Sequence, residues 1–580
     1  MKKVILIFLS LWLANIGMAQ TRVTGRVTGA DDNLPIPGVT IQIKGLGGVA
    51  STASDGTYSL SNVPPDAVLI FSFIGYKPQE VPVQERTVIN ISMETDALSL
   101  DEVIVVAYGT STKATFTGAA SVISSESIKD VPALSFENAL NGKVAGLQVT
   151  TFSGQAGSVS AVRVRGVGSI NASNEPLYVI DGVPVVSGSV GQMSGQIYST
   201  NNVMSTINPS DIESITILKD AAASSLYGSR AANGVVVITT KRGKQGKPVI
   251  NFKSSVGLTP DWAVENYTPA TTEQQVEMYY ENFLNAGLYY EGRTQEVSST
   301  RALAQLNKRF NKHGYTFTAP DHTVNSLTIG GERAGEYYDW ESELFRTAVY
   351  QTYDLSVSGA TETSNYYSSL SYTKEQGRVY INEFDRITGR INVSQKVGKA
   401  VEFSTNVNFA RTNKSGFNDT RSLFNNYFLQ TRNLLWGLYW PTNYQTGEPW
   451  TQRFGSYSYN PLYYDNEWDN LAKTQRIAAS ETVAVQLLPE LTFRSILSYD
   501  NTTSNDHLYY SALHFSGSSS NGIVREMVTS TEKTVSSSTL NYNKTFGQMH
   551  TIDLLAGWEA EKNYTEFQRA EGSDLPTGAL

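Results

Sequence analysis

The residue types that carry most enzyme chemistry are scarce in this chain. Its 580 residues include five histidines and no cysteine, which excludes disulfides, thiolate metal sites and a cysteine nucleophile. His313, His322, His507, His514 and His550 are scattered, and the interval from His507 to His514 matches no metal-ligand spacing. Gly166-Val167-Gly168 begins a phosphate-cradling pattern, but Asn171 stands where its third glycine belongs, and no P-loop, HExxH or GxSxG motif occurs. These residues offer no catalytic site, no metal site and no cofactor site, so the chain does not read as an enzyme. What remains is binding chemistry. Trp436, Trp440, Trp450 and Trp468 fall within one tyrosine-rich stretch, 416–473. Aromatic faces of this kind stack on sugar rings or peptides, although packing within a loop or at a membrane interface uses the same residues. In Asp101-Glu102-Val103-Ile104-Val105-Val106, two acids precede a β-branched run. That composition suits a strand added to another protein's sheet edge through its backbone, and equally a last strand and linker.

The elements that must position these residues are mostly strands. Charged residues make up only 17% and aromatics 11%, with Tyr the most numerous aromatic. After the first twenty residues no apolar run is long enough for a helical span, so the membrane class left open is the β-barrel. The net charge of −9 gives no basis for nucleic-acid binding. Lys2 and Lys3, the apolar run Val4 to Leu13, and Gly17 and Ala19 before Gln20 read as a signal peptide over 1–19. Residues 20–97 read as about seven short strands in a small β-sandwich, with Ser54-Asp55-Gly56 as a hairpin turn and Tyr58, Leu60, Val68, Ile70, Phe73, Val88 and Ile91 facing inward. Residues 98–117 read as the strand-addition segment and linker. Residues 118–243 read as mixed α/β: a helix at Ser135 to Leu140 closed by Gly142, a strand carrying Arg163 and Arg165 on one face, a strand ending in the turn Asp181-Gly182, and a helical patch from Lys219 to Tyr227.

From 244 onward, period-two alternation dominates. Ile387, Gly389, Ile391, Val393 and Val397 share one face, with Arg386, Thr388, Arg390, Asn392, Ser394 and Lys396 on the other. Val401, Phe403, Thr405, Val407 and Phe409 likewise oppose Glu402, Ser404, Asn406 and Asn408. Arginine on alternate positions must face a wet lumen, as in a barrel wall. The same reading gives about eleven strands, near 249–258, 349–359, 364–374, 386–397, 401–409, 474–487, 490–502, 505–515, 521–530, 531–546 and 549–565. Two insertions interrupt the rhythm, 260–346, with a helix at Thr272 to Leu288, and 416–473.

One stretch is specific enough to resemble a family. Asn174-Glu175-Pro176-Leu177-Tyr178-Val179-Ile180-Asp181-Gly182-Val183-Pro184, Asp211 to Ile215, and Leu218 to Val235 (LKDAAASSLYGSRAANGV) closely resemble the plug of SusC/RagA-type TonB-linked outer-membrane transporters. Gly142 to Val149 and Arg163-Val164-Arg165-Gly166 fit the same plug, and Asp55-Gly56 and Phe73-Ile74-Gly75-Tyr76 fit the carboxypeptidase-regulatory-like sandwich that precedes it. The resemblance implies a mainly β fold: the sandwich at 20–97 in the periplasm, an α/β plug at 118–243, and at 244–580 the first part of a multi-pass barrel of roughly 22 strands in outer-membrane lipid, C-terminally truncated. It assigns plug-motif positions to Arg163, Arg165, Asp181, Gly182, Lys219, Asp220, Tyr227, Gly228, Arg230, Asn233 and Gly234. It gives Asp101 to Val106 the contact with a TonB-type energy-transducing protein, and the stacking chemistry of the second insertion leaves Trp436, Trp440 and Trp450 as ligand-binding candidates. It implies import of oligosaccharides or peptides with a SusD-like surface lipoprotein. The alternative is a siderophore or vitamin receptor without that lipoprotein.

Overall fold

The computed structural model describes residues 21–576 except 31–33, 45–48, 74–75, 95–102, 107–108, 113–118, 129–130, 132–134, 152, 172, 191–200, 221–223, 261–269, 418–430, 432–433, 435, 455–457 and 547–549. Two units separate at Thr117. In the first, β1 (Thr21–Gly29), β2 (Thr40–Ile43), β3 (Val49–Ser51), β4 (Thr57–Val63), β5 (Val68–Ser72), β6 (Gln79–Pro82) and β7 (Ile91–Met93) form two sheets, ordered β4-β1-β7 and β3-β2-β5-β6. Between them Val23, Val27, Ile41, Tyr58, Leu60, Leu69 and Phe71 make the core. The expected register of β5 is shifted by one residue: Leu69 and Phe71 are buried, Val68 and Ile70 only half-buried. Four consecutive apolar residues carry no alternation to choose a face, and a one-residue slip inverts every side chain. Val88 is exposed rather than inward. Gly56 turns with φ +75°, where a Cβ would lie 2.6 Å from the Val27 carbonyl oxygen, so only glycine fits. β8 (Val103–Val106) and β9 (Gly109–Thr112) pair antiparallel as a separate two-stranded hairpin.

The second unit begins with the five-stranded sheet β10-β17-β18-β13-β14. It comprises β10 (Ala120–Ser124), β13 (Leu177–Ile180), β14 (Val183–Pro184), β17 (Ile212–Leu218) and β18 (Val235–Thr240), with β13 parallel to β18 and the other pairs antiparallel. The helix α1 (Phe136–Ala139) covers its core, while β11 (Leu147–Thr151) pairs with β12 (Ser160–Val164) and β15 (Ser189–Val190) with β16 (Asn201–Asn202). Of the helical patch expected from Lys219 to Tyr227, residues 221–223 lie outside the described residues, Ser224 is helical with its N–H bonded to the Asp220 carbonyl (3.0 Å), and a 3-10 segment spans Ser225–Ala231. Serines and glycine weaken a regular helix there.

The remaining strands form one antiparallel sheet, each pairing with the next: β19 (Gly246–Thr259), β22 (Ala348–Ala360), β23 (Ser364–Gln376), β24 (Glu383–Val397), β25 (Val401–Ser415), β26 (Trp468–Leu488), β27 (Leu491–Tyr510), β28 (Ile523–Phe546) and β29 (His550–Ser573). The expected strands at 490–502 and 505–515 are one, β27, and those at 521–530 and 531–546 are β28. The burial pattern is inverted relative to a soluble sheet. Arg386, Thr388, Arg390, Asn392 and Ser394 are buried, while Ile387, Ile391 and Val393 are exposed on the opposite face. This is the wall of an outer-membrane β-barrel, apolar toward lipid and polar inside. Turns 361–363, 398–400 and 489–490 close one end, and the insertions 260–347 and 416–467 lie at the other. There β20 (Thr316–Thr318) pairs with β21 (Thr328–Gly330) beside α2 (Thr272–Asn285), α3 (Gln295–Phe310) and α4 (Trp340–Leu344).

Candidate functional site

The inner wall of the barrel grips the sheet of the preceding segment through polar side chains. Asp181 and Gly182, both at positive φ (+50° and +88°), form the two-residue turn between β13 and β14, a geometry that glycine and aspartate tolerate best. The turn aims the Asp181 carboxylate back at β18, where it accepts hydrogen bonds from the Thr240 backbone N–H (2.9 Å) and hydroxyl (2.7 Å). Arg390 of β24 lies 4.0 Å from Asp181 and 3.6 Å from Asp211, and the Tyr367 hydroxyl donates to Asp211 (2.9 Å). Arg386 donates to the carbonyls of Ser205 (2.8 Å) and Ile207 (3.3 Å). Asn392 donates to the Thr240 hydroxyl (2.9 Å) and the Lys241 carbonyl (2.8 Å).

A second cluster is built on β26 and β27. Arg476 donates two hydrogen bonds to Asp500, at 2.9 and 2.8 Å, while Asp500 also accepts the Val186 N–H at 3.0 Å. Asn208 and Ser210 donate to Asp354 on β22, at 2.9 and 3.1 Å. A cavity remains between the two surfaces, lined by Asp181, Arg390, Asn406, Asn408, Arg476 and Asp500. Such a bond is worth about 1 kcal/mol net, or roughly 1.5–3 kcal/mol where one partner is charged, and Arg390 and Arg476 stand beside carboxylates as burial requires. The interface holds through many small polar terms.

The sequence-predicted motif residues distribute around this seam. Lys219 donates to the Ala145 carbonyl (2.8 Å), Asp220 accepts the Ala119 N–H (2.7 Å), and Asn233 donates to the Ser173 carbonyl (2.7 Å). Tyr227 is buried, and Gly228 at φ 67°, ψ −154° adopts a conformation that essentially only glycine reaches, kinking the turn that presents Arg230. Gly234 turns into β18 at φ +86°. Arg230 forms ion pairs with Glu559 and Glu561 of β29, two acids absent from the sequence reading. Their i, i+2 spacing was the available signal, since it puts both on one face of a strand. Arg163 and Arg165 do not share a strand face. β12 ends at Val164, and Arg165 lies beyond it in a left-handed conformation, φ +58°.

Within the core, Glu137 of α1 accepts hydrogen bonds from the Tyr178 hydroxyl (2.9 Å) and Asn202 (2.6 Å). Burial pushes its carboxyl up to about 7, against the effect of both bonds.

The three candidate tryptophans meet in the loop module. A capping box of Thr271 and Gln274 starts α2. Val276, Tyr280 and Leu284 of α2 pack on Ala302, Leu306 and Phe310 of α3. Trp436 lies 5.8 Å from Tyr279 and 6.3 Å from Phe310; Trp440 donates to the Tyr315 hydroxyl (2.9 Å); Trp450 lies 5.0 Å from His313. All three are half-buried. His313, fully buried, accepts the Trp440 N–H at 3.3 Å, and burial with nearby Lys312 and Arg333 lowers its pKa to about 3. Asp101 and Glu102 lie outside the described residues.

Comparison with known proteins agrees with this architecture. Residues 23–105 match the CarboxypepD_reg-like domain and 112–235 the TonB-dependent Receptor Plug Domain. The TonB-dependent receptor P39 of Formosa agariphila is 31% identical over 570 residues, covering 97% of this chain and 48% of the relative. The TonB-dependent receptor SusC of Bacteroides thetaiotaomicron is 31% identical over 388 residues, 67% of this chain and 33% of the relative. Among solved structures, the RagAB peptide importer in its closed-closed state superposes with a TM-score of 0.61 at 25% identity, covering 79% of this chain and 49% of that one. The chain spans about half the length of the curated relatives it matches. These relatives are receptors and transporters, not enzymes.

Proposed function

Since its homologues over most of its length are SusC-type TonB-dependent receptors, with their plug and CarboxypepD_reg-like domains, we propose that this chain imports oligosaccharides or peptides across the outer membrane. In this reading a TonB-type protein adds a strand to Asp101 to Val106 and pulls the plug, and a SusD-like lipoprotein captures ligand above the barrel. The observation that carries it is the polar seam of Asp181, Asp211, Arg390 and Arg386, which holds the plug against the inner wall. Such contacts exchange readily for water when the plug moves. Pairing of Val103–Val106 with Gly109–Thr112 supports strand addition, because the outer edge of each of these two strands has no neighbouring strand among the described residues. The likeness to the RagAB peptide importer supports peptide as one ligand class.

The test is deletion of 101–106 in the natural gene. Outer-membrane levels stay normal and ligand-dependent growth is lost. Normal uptake by the deletion strain overturns the assignment.

A further inference from the structure

The loop module has a charge imbalance that its packing does not explain. Three cations lie over aromatic rings: Arg309 over Tyr279 at 4.9 Å, Lys312 over Trp450 at 5.0 Å, and Arg333 over Trp440 at 3.8 Å. All three are half-buried, and among the described residues none has a carboxylate within ion-pairing distance. Two other cations of the module are paired, since Arg293 and Arg301 both bond Glu291. The buried Nη1 of Arg333 has no hydrogen-bond partner. The cations also act on one another's surroundings. Burial, and after it Arg309, lowers the pKa of Lys312, while burial, Lys312 and Arg333 oppose protonation of His313, which therefore does not add to the charge.

A half-buried cation without a counter-charge is costly. A ring face returns only about 0.5–2 kcal/mol of that. The same geometry changes what the tryptophans offer. With Arg333 over one face of Trp440 and Lys312 over one face of Trp450, those ring faces are covered by charge, while Trp436 and Tyr444 are half-exposed.

We propose that Arg309, Lys312 and Arg333 form an anion-recognition face and that its ligand is an oligosaccharide bearing carboxylate or sulfate groups. This deepens the import reading and rests on it. A guanidinium fork matches both anions bidentately. Cationic and aromatic groups in alternation suit rings that combine acid substituents with C–H faces, which an acidic peptide lacks.

The test is binding by the purified full-length protein, which requires no TonB and so stands or falls separately from uptake. Oligogalacturonate and heparin-derived oligosaccharides separate carboxylate from sulfate, maltohexaose is the neutral probe, and poly-L-glutamate is the peptide probe. At least one anionic oligosaccharide binds with strong salt dependence, and maltohexaose binds on the order of tenfold more weakly or not at all. Lys312→Gln and Arg333→Met each weaken the anionic ligand about tenfold, while Arg301→Gln leaves it unchanged. Limited proteolysis of the module confirms that each variant is folded, and in a variant that is not, the salt and probe dependence of the wild type decides. Equal affinity for maltohexaose, no binding of either anionic oligosaccharide, unchanged affinity in folded variants, or tighter binding of poly-L-glutamate overturns the proposal.

Discussion

The substitution Glu137→Gln isolates one ionisation inside the plug. In the folded chain the carboxyl is held by Tyr178 and Asn202 and pushed up by burial to about 7, from the ordinary 4.5 of a free glutamate. A pKa raised on folding gives stability that is full below the unfolded pKa and lost as pH rises through the folded one. The loss therefore accumulates between about pH 4.5 and 7 and is complete above it. At about 1.4 kcal/mol per pKa unit, its upper bound is on the order of 3 kcal/mol. Glutamine keeps an acceptor for Asn202 and a donor for the Tyr178 oxygen, and it cannot ionise. Hydrogen exchange at Phe136–Ala139 and Leu177–Ile180 in the whole protein reads the effect. Wild-type protection falls from pH 5 to pH 8 and that of the variant stays flat, so the variant is better protected at pH 8. Parallel pH profiles, or a variant less protected at pH 8, refute the reasoning.

Two further outcomes follow from the seam and the wall. Arg230→Gln combined with Glu561→Gln in a double-mutant cycle gives a coupling of only about 1 kcal/mol, because the side chains are 35% and 14% exposed and solvent screens the pair; exchange at Val235–Thr240 measures it, and high salt reduces it. Ile391→Lys, on the exposed face between Val407 and Ser368, costs about 2–4 kcal/mol if it lies near the bilayer midplane and lowers the fraction of heat-resistant folded barrel. Assembly at the wild-type level would mean that this face does not meet lipid.

The barrel was legible in the sequence where one face touches lipid, because alternation is strict there, as in Arg386 to Val397. It was not legible at Thr502-Thr503-Ser504-Asn505, which β27 crosses without a break. Thr502 and Ser504 point inward, while the outward positions beside them are polar too, so no alternation marks the strand. β28, at 24 residues, is likewise far longer than the roughly 10 needed to span a bilayer, and its excess was read as a separate strand. The helix α3 escaped notice because only Ala302, Leu306 and Phe310 mark its buried apolar face. The partners of Arg230 were hidden for another reason. Glu559 and Glu561 lie more than 300 positions away, and pairing at that range belongs to topology rather than to local pattern.

On the import reading proposed above, the inner wall must let one domain be both firmly seated and removable, and its chemistry suits that. An apolar plug face would resist extraction by about 25 cal/mol for each Å² exposed to water, all of it lost as the contact opens. Here the contacts are Asn392 to Thr240, Arg386 to two carbonyls, Asn208 and Ser210 to Asp354, and Val186 to Asp500. Water replaces each of these at roughly 1–3 kcal/mol net, the upper end where a partner is charged. A force applied at the N-terminal side therefore meets a series of small steps rather than one large barrier. The wall left behind, lined by Arg386, Arg390, Thr388 and Asn392, is one that water and a polar ligand can wet. If the chain acts as the importer proposed above, plug retention depends on the number of simultaneous polar contacts, and passage on their being individually weak.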